Sequence, residues 1–280
     1  MEILQLINSG SKRLKDKNIF THKIDSEILL SKVLNRTRED LLINLEQKVS
    51  PKEISKFESL LDRRSLKEPI AYILKEKEFW SKNFIVNKNA LIPRPETELM
   101  VENIIKIFDH KKPFILDIGT GTGCIIISII SELKGATGIG IDISSKAIKV
   151  ALQNLVKHKL SNKIRFLVKP LSEMHNYKFD LVVSNPPYIF TKDIRFLEDD
   201  IKKFEPKLAL DGGNDGLDVI KKVIYKSKSI LKFKGTLALE IGNGQFKKVS
   251  KILRKNKFRT RYIVKDYQEN IRCILSTLEN

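Results

Sequence analysis

Two cysteines, one tryptophan, nine prolines and thirteen glycines in 280 residues leave several protein classes without their raw material. Cys124 and Cys273 are too few for a disulfide framework or a zinc site. Free thiols fit a reducing compartment, so the cytoplasm is the expected location. Scarce Gly and Pro beside 41% hydrophobic residues exclude collagen-like, mucin-like and largely disordered chains. No apolar run approaches the roughly 18 to 20 residues that cross a bilayer, so no membrane partner is expected. The first residues, MEILQLINSGSKRLKDK, lack the charged-then-apolar order of an export signal. His22, His110, His158 and His175 form no cluster in sequence, and no metal is expected.

Acidic residues are also in the minority: 34 against 52 Lys and Arg, a net charge of +18. Such an excess suits a polyanion, because Lys and Arg neutralising phosphates release counterions. Its distribution argues the other way. Residues 1–87 hold 17 Lys and Arg against 13 Asp and Glu, the rest 35 against 21, and the cations are dispersed. Lys outnumbers Arg 40 to 12, so the planar forks that grip phosphate are few. A solvated surface and a basic docking face, for nucleic acid or an acidic protein, both remain open.

What is present divides into two textures. Residues 1–67 contain one Gly and one Pro and carry apolar residues at helical spacing. Helices are expected over 2–14, 25–34, 39–45 and 52–66, the last opened by Ser50, Pro51 and Glu53 as N-cap, first-turn proline and capping-box partner. This helical bundle forms a first domain, 1–67. Residues 68–90 hold short β-prone pieces, Tyr72-Ile73-Leu74, Glu78-Phe79-Trp80 and Phe84-Ile85-Val86, and predict a hairpin linker. From 91 to 280, after a helix near 96–109, short apolar runs alternate with amphipathic stretches. Strands are expected at 114–118, 137–142, 164–168, 179–184, 236–241, 259–265 and 271–276, with helices from Cys124, Ser145, Leu217 and Gln245. That alternation predicts an α/β domain with a mostly parallel sheet covered on both faces, and ligands at the carboxyl ends of its strands.

Two of those ends carry chemistry. The first expected strand runs into Asp117-Ile118-Gly119-Thr120-Gly121-Thr122-Gly123 and then a helix. Alternate glycines allow a tight turn and let a ligand approach bare backbone at a helix N-terminus. The spacing differs from the dinucleotide fingerprint, and no Lys-Ser/Thr follows as a phosphate loop requires. The next strand ends in Asp142, placed to accept hydrogen bonds from both hydroxyls of a ribose; its plainer reading is a helix cap before Ser144. A glycine loop without basic residues, joined to a ribose-binding acid, suits a nucleoside carrying no phosphate, S-adenosylmethionine being the common one. At the other end, strand 179–184 delivers Asn185-Pro186-Pro187-Tyr188. The paired prolines lack backbone donors, which leaves the Asn185 side chain and the Pro186 carbonyl as fixed acceptors for a planar NH2 group. Tyr188 is expected to pack on that group and to face the positive sulfonium.

Asn185-Pro186-Pro187-Tyr188 resembles the signature of class I methyltransferases that act on amide or exocyclic nitrogen. Further segments resemble the HemK/PrmC family over nearly the full chain: Pro69-x-x-Tyr72-Ile73, Phe79-Trp80, Leu91 to Glu98, Glu205-Pro206, Ala209 to Gly213, Asp215 to Leu217, and Leu239-Glu240-Ile241-Gly242. The resemblance implies the seven-stranded methyltransferase sheet with its last strand antiparallel, and a small N-terminal helical domain. It also implies S-adenosylmethionine as methyl donor, S-adenosylhomocysteine as product, and the glutamine of the Gly-Gly-Gln motif of peptide chain release factors as acceptor. Gly119, Thr120, Gly121, Thr122, Gly123, Asp142, Pro170 and Asn185 would then bind the donor. Asn185, Pro186, Pro187 and Tyr188 would bind the acceptor, with Asn185, Pro186 and Tyr188 catalytic, and Arg94 to Glu98 would close over the pocket.

The chain departs from the family pattern in two places. Lys75 and Ser81 stand where glycines are frequent, so the hairpin turn is expected to be built differently. Lys169-Pro170 follows the third strand where a polar or acidic residue often meets adenine, so adenine is expected to lie against backbone and apolar groups near Pro170. The competing reading is a nucleic-acid methyltransferase acting on an adenine or guanine amine, although no large target-reading domain or aromatic stacking surface is apparent. A non-catalytic S-adenosylmethionine-binding protein is the least economical reading, since both motifs are retained.

Overall fold

A computed structural model describes residues 1–175 and 177–279. These divide into two compact units, Met1–Lys75 with Glu198–Phe204, and Glu76–Leu197 with the chain from Glu205 onward. The first boundary lies inside the expected linker. Residues 198–204, read from the sequence as part of the catalytic region, group instead with the helical unit. The segment is a short helical excursion that leaves the sheet unit after Leu197 and rejoins it at the buried Glu205.

The helical unit contains α1 (Ile3–Asp16), α2 (His22–Leu34), α3 (Arg38–Ile43), α4 (Pro51–Ser65) and α5 (Ile70–Leu74). Its core is built from Leu6, Ile7, Leu29, Leu30, Phe57 and Leu61. Helix α4 starts as its sequence dictates: Ser50 Oγ accepts from Glu53 N–H and the Glu53 carboxylate accepts from Ser50 N–H. Asp25 and Arg64 form a buried ion pair at 2.7 Å. Residues Tyr72 to Leu74, expected as strand, are helical instead. Pro69 opens the turn with its carbonyl accepting from Tyr72 and Ile73, and burial of Ile73 in the helical core outweighs its β preference.

The second unit opens with the hairpin β1 (Glu76–Phe79) and β2 (Lys82–Ile85). Its two-residue loop places Trp80 at φ 53° and Ser81 at φ 52°, and Lys75 precedes it at φ 62°. These are left-handed conformations that glycine adopts freely. The strand pairing imposes these conformations on Lys75, Trp80 and Ser81, which carry the strain that glycine would avoid.

Then follow α6 (Pro95–Phe108), β3 (Phe114–Ile118), α7 (Cys124–Glu132), β4 (Thr137–Asp142), α8 (Ser145–Lys157), β5 (Ile164–Val168) and β6 (Phe179–Ser184). After α9 (Asp199–Phe204), which belongs to the helical unit, come α10 (Asp218–Ile230), β7 (Leu231–Glu240), α11 (Phe246–Lys255), β8 (Phe258–Lys265) and β9 (Ile271–Leu278). Seven strands form one sheet in the order β5-β4-β3-β6-β7-β9-β8, parallel from β5 to β7, with β9 antiparallel to both neighbours. This is the class I methyltransferase sheet that the resemblance implies. Strand β7 begins five residues earlier than expected, and an irregularity in its pairing with β6 accommodates Lys232 to Gly235.

Alternating side chains send Ile115, Leu181, Val183, Ala238 and Leu275 into a core under α6, α7 and α8. Leu116, Val182, Leu237, Leu239 and Ile274 enter the opposite core under α10 and α11. Burial on both faces explains the nearly continuous apolar runs of these strands. Strand order reverses between β3 and β6, which opens a crevice at their carboxyl ends.

Candidate active site

A cavity of about 820 Å³ lies at those carboxyl ends. It is floored by Ile118, Gly119 and Gly121 after β3, and bounded by Asp142 and Ile143 after β4 and by Lys169 to Ser172 after β5. Asn185 and Pro187 bound it after β6, and Ala90 and Leu91 come from the segment before α6. The crevice thus collects two glycines of the expected nucleoside loop, the expected ribose acid, and Asn185 and Pro187 of the Asn-Pro-Pro-Tyr segment, while Pro186 and Tyr188 stand outside its wall.

Gly119 has φ 71°, and a Cβ there would point into open space with no atom within 4 Å. Bare backbone therefore faces the cavity at this position. Thr120, Thr122 and Gly123 have inward tasks. Thr120 is buried and donates to Asp117 Oδ2 at 2.6 Å, while the Thr122 carbonyl accepts from Asn154 Nδ2 at 2.9 Å. Gly123 begins α7 at φ 79°, where a Cβ would meet Phe166 Cζ at 2.8 Å. Thr120, Thr122 and Gly123, expected at the donor site, thus shape the loop from behind; Gly119 and Gly121 line the cavity.

Asp142 is half-buried, and burial raises its carboxyl above the ordinary aspartate value. Its Oδ2 accepts from Gly121 N–H at 3.1 Å and its Oδ1 from Ser144 N–H at 2.9 Å. Each oxygen keeps a further lone pair for a ligand hydroxyl. The helix cap belongs to Ser144, whose Oγ accepts from Ala147 N–H. Asp117, one strand over, is fully buried with Oδ1 unpartnered among the described residues, and burial pushes its carboxyl up to about 7.

Asn185 is half-buried at the end of β6, and Pro186 behind it is buried. Asn185 Nδ2 donates to Thr97 Oγ1 at 3.3 Å, and Thr97 Oγ1 donates to Glu240 Oε2 at 2.6 Å. Tyr188 turns toward the same glutamate, its hydroxyl 3.5 Å from Oε1. Burial and the Glu240 charge both raise the Tyr188 phenol. The backbone here is braced from two sides. Gln245 Nε2 donates to the Tyr188 carbonyl at 3.0 Å, while Ile189 N–H donates to the Leu210 carbonyl and Gly212 N–H donates to the Ile189 carbonyl. Gly216 at φ 67° lies so close that a Cβ would fall 2.5 Å from the Tyr188 oxygen. The Asp211 to Leu217 motif is therefore a support for Asn-Pro-Pro-Tyr. Arg94 pairs with the buried Glu205 carboxylate at 2.6 Å, which also accepts from Ile92 N–H, so this stretch is anchored beside the cavity while Leu91 enters its wall.

Gln245 was not singled out from the sequence, whereas Thr97 and Glu240 stood there only inside the motifs Leu91 to Glu98 and Leu239 to Gly242, with no part assigned to either beside Asn185. Glu240 had a signal: an acid closing the apolar run Leu237-Ala238-Leu239. Thr97 had only the motif around it, because its neighbours Glu96 and Glu98 explain themselves as helix N-terminal acids. Cys124 is buried, and burial pushes its thiol up to about 12, as a packed helix-start residue requires.

Two family models match the chain: a PrmC N-terminal domain over residues 5–74 and a methyltransferase domain over residues 109–274. A release factor glutamine methyltransferase of Caulobacter vibrioides is 37% identical over 219 residues, covering 78% of this chain and 76% of that protein. A bifunctional methyltransferase of Rickettsia typhi is 38% identical over 246 residues, 81% of this chain and 48% of that protein, so the chain spans about half the length of such bifunctional relatives. Among solved structures, a methyltransferase from Pyrococcus furiosus superposes with a TM-score of 0.53 at 14% identity, covering 70% of this chain and 89% of the other. At that identity the likeness concerns the fold alone.

Proposed function

The chain belongs to the HemK/PrmC family of release factor glutamine methyltransferases, and on that premise we propose that it methylates the side-chain nitrogen (N5) of the glutamine in the Gly-Gly-Gln motif of peptide chain release factors. S-adenosylmethionine is the methyl donor and S-adenosylhomocysteine the product. One observation carries the reading: the glycine loop, Asp142 and Asn185 with Pro187 share one cavity at the carboxyl ends of β3, β4 and β6. The two reacting partners can therefore meet inside a single crevice.

The residues present fit the donor. Gly119 offers bare backbone to the cavity, Asp142 retains acceptor capacity for the ribose, and Pro170 and Leu171 supply an apolar wall for adenine. S-adenosylmethionine supplies an electrophilic methyl on a sulfonium. The chain supplies geometry. An amide nitrogen is a poor nucleophile because its lone pair is delocalised, so both its N–H groups are held, by Asn185 Oδ1 and the Pro186 carbonyl, with the lone pair directed at the methyl. As the N–C bond forms the nitrogen becomes acidic, and its proton leaves through these acceptors or water without a dedicated strong base. Tyr188 supports the site from the Glu240 side. The helical unit grips the release factor away from its glutamine loop, and such a substrate puts the reaction in the cytoplasm.

The net charge of +18 favours the second reading, a nucleic-acid amine as acceptor. Transfer of radiolabelled methyl to purified release factor, to its Gly-Gly-Gln variant lacking the glutamine, and to bulk RNA and DNA separates the two. Label that appears on release factor and vanishes with the glutamine is the expected result; label on nucleic acid alone overturns it.

A further inference from the structure

We propose that Thr97 and Glu240 form a positioning relay that sets the direction of the Asn185 amide, so that its oxygen and not its nitrogen faces the acceptor. The proposal rests on the methyl-transfer reading above and adds two residues to that site.

A threonine hydroxyl has one proton and two lone pairs, and an ionised carboxylate only accepts. With Glu240 Oε2 at 2.6 Å, the Thr97 proton is committed to the carboxylate. Thr97 can then hold Asn185 only by accepting, which brings Nδ2 to its side at 3.3 Å and leaves Oδ1 as the free end. Reversal of the Asn185 amide would set its N–H groups against the N–H groups of the acceptor, and the site would repel what it must hold. A glutamate, unlike a glutamine, imposes this direction, because it has no proton to return.

Direction therefore depends on the charge of Glu240. Protonated Glu240 can donate to Thr97, which frees the threonine proton to point at Asn185 and removes the preference for one amide orientation. The groups facing Glu240 are Glu96 and Thr97 from α6, Tyr188 after β6, Arg272 and Cys273 from β9, and Cys124 at the start of α7. Burial first, and the Glu96 charge, push Glu240 up to about 7; the Thr97 hydroxyl, Arg272 and Tyr188 pull it down. Burial raises the two thiols and the phenol, so they remain protonated at neutral pH. Methyl transfer is accordingly expected to fade as pH falls through the Glu240 transition.

Three variants of the full chain test the relay: Thr97→Val, which keeps the shape without the hydroxyl, Thr97→Ser, which restores it, and Glu240→Gln. With S-adenosylmethionine and release factor, Thr97→Val is expected to lose at least tenfold in kcat with KM for the donor changed less than twofold. Thr97→Ser is expected to recover most of the rate, and Glu240→Gln to lower kcat and flatten the acid limb of the pH profile. A Thr97→Val enzyme of undiminished kcat, equal losses in kcat and donor KM, or a Ser variant as poor as Val while melting normally, each overturns the proposal. A substrate-independent arm keeps it separate from the functional reading. In 15N-labelled protein the Asn185 side-chain amide, assigned by its disappearance in Asn185→Asp, should exchange with solvent faster in Thr97→Val than in the unaltered chain. Unchanged exchange sinks the relay whatever the acceptor, whereas accelerated exchange without methylation of release factor sinks the substrate assignment alone.

Discussion

At the scale of single residues, the molecule places its titratable chemistry behind its reacting surface. Asn185, which touches the acceptor in the proposed reaction, carries no charge. Replacing Asn185 by Ala is expected to lower kcat by a hundredfold or so while leaving donor affinity within about threefold, since one preorganised hydrogen-bond group is commonly worth about 100 to 1,000 in rate. Steady-state kinetics together with calorimetric titration of the donor checks this, and parallel losses in both would remove Asn185 from its role. Behind it, Asp117 and Glu240 are buried carboxyls raised to about 7 from ordinary values of 3.8 and 4.5. Their folded-state values lie above the unfolded ones, so the folded chain binds more protons between those limits. Their contribution is fully present below about 4 and is lost as pH rises through about 7. Urea unfolding between pH 5 and 8 should therefore show Glu240→Gln gaining stability relative to the unaltered chain as pH rises. A constant difference across that range contradicts the burial argument. The place of Asp142 in the cavity wall was legible from its position after the second sheet strand. Its additional bond to Gly121 N–H was not, because that contact joins two loops 21 residues apart.

At the scale of elements, local sequence was a good guide wherever pattern and burial agree. The capping box of α4, the helices after Gly123 and Ser144, and strands β3 to β6 fall where periodicity and caps put them. It was a poor guide where a tertiary partner decides. Tyr72 to Leu74 became helix against a helical core, and the left-handed pair Trp80-Ser81 formed without a glycine because β1 and β2 demand a tight turn. The strain in that turn yields a prediction. Ser81→Gly should raise stability by about 1 kcal/mol, since a left-handed residue other than glycine costs about 1 to 2 kcal/mol and glycine returns part of that as chain entropy. Thermal denaturation of the variant settles it, and a lower melting point would mean that Ser81 is held by contacts outweighing its backbone strain.

At the scale of the whole molecule, the two compact units differ in what they contain. The sheet unit contains every residue placed around the cavity, whereas the helical unit has its own apolar core and a buried ion pair. A chain beginning at Glu76 is expected to bind S-adenosylmethionine with nearly unchanged affinity and to lose at least tenfold in kcat/KM on intact release factor. Full efficiency without the first 75 residues would overturn the part in substrate recognition proposed for the helical unit. The amino-acid sequence by itself determined the order of strands and helices, the glycine loop, the acid after the second sheet strand and the Asn-Pro-Pro-Tyr segment, because each is a local pattern of periodicity, backbone freedom or fixed acceptors. Only the tertiary structure decided which loop residues face the cavity, which stand behind it, and that Thr97 and Glu240, 143 positions apart, meet at Asn185. Hydrogen bonds between distant segments leave no period in a sequence; they arise when the sheet brings the ends of its strands together.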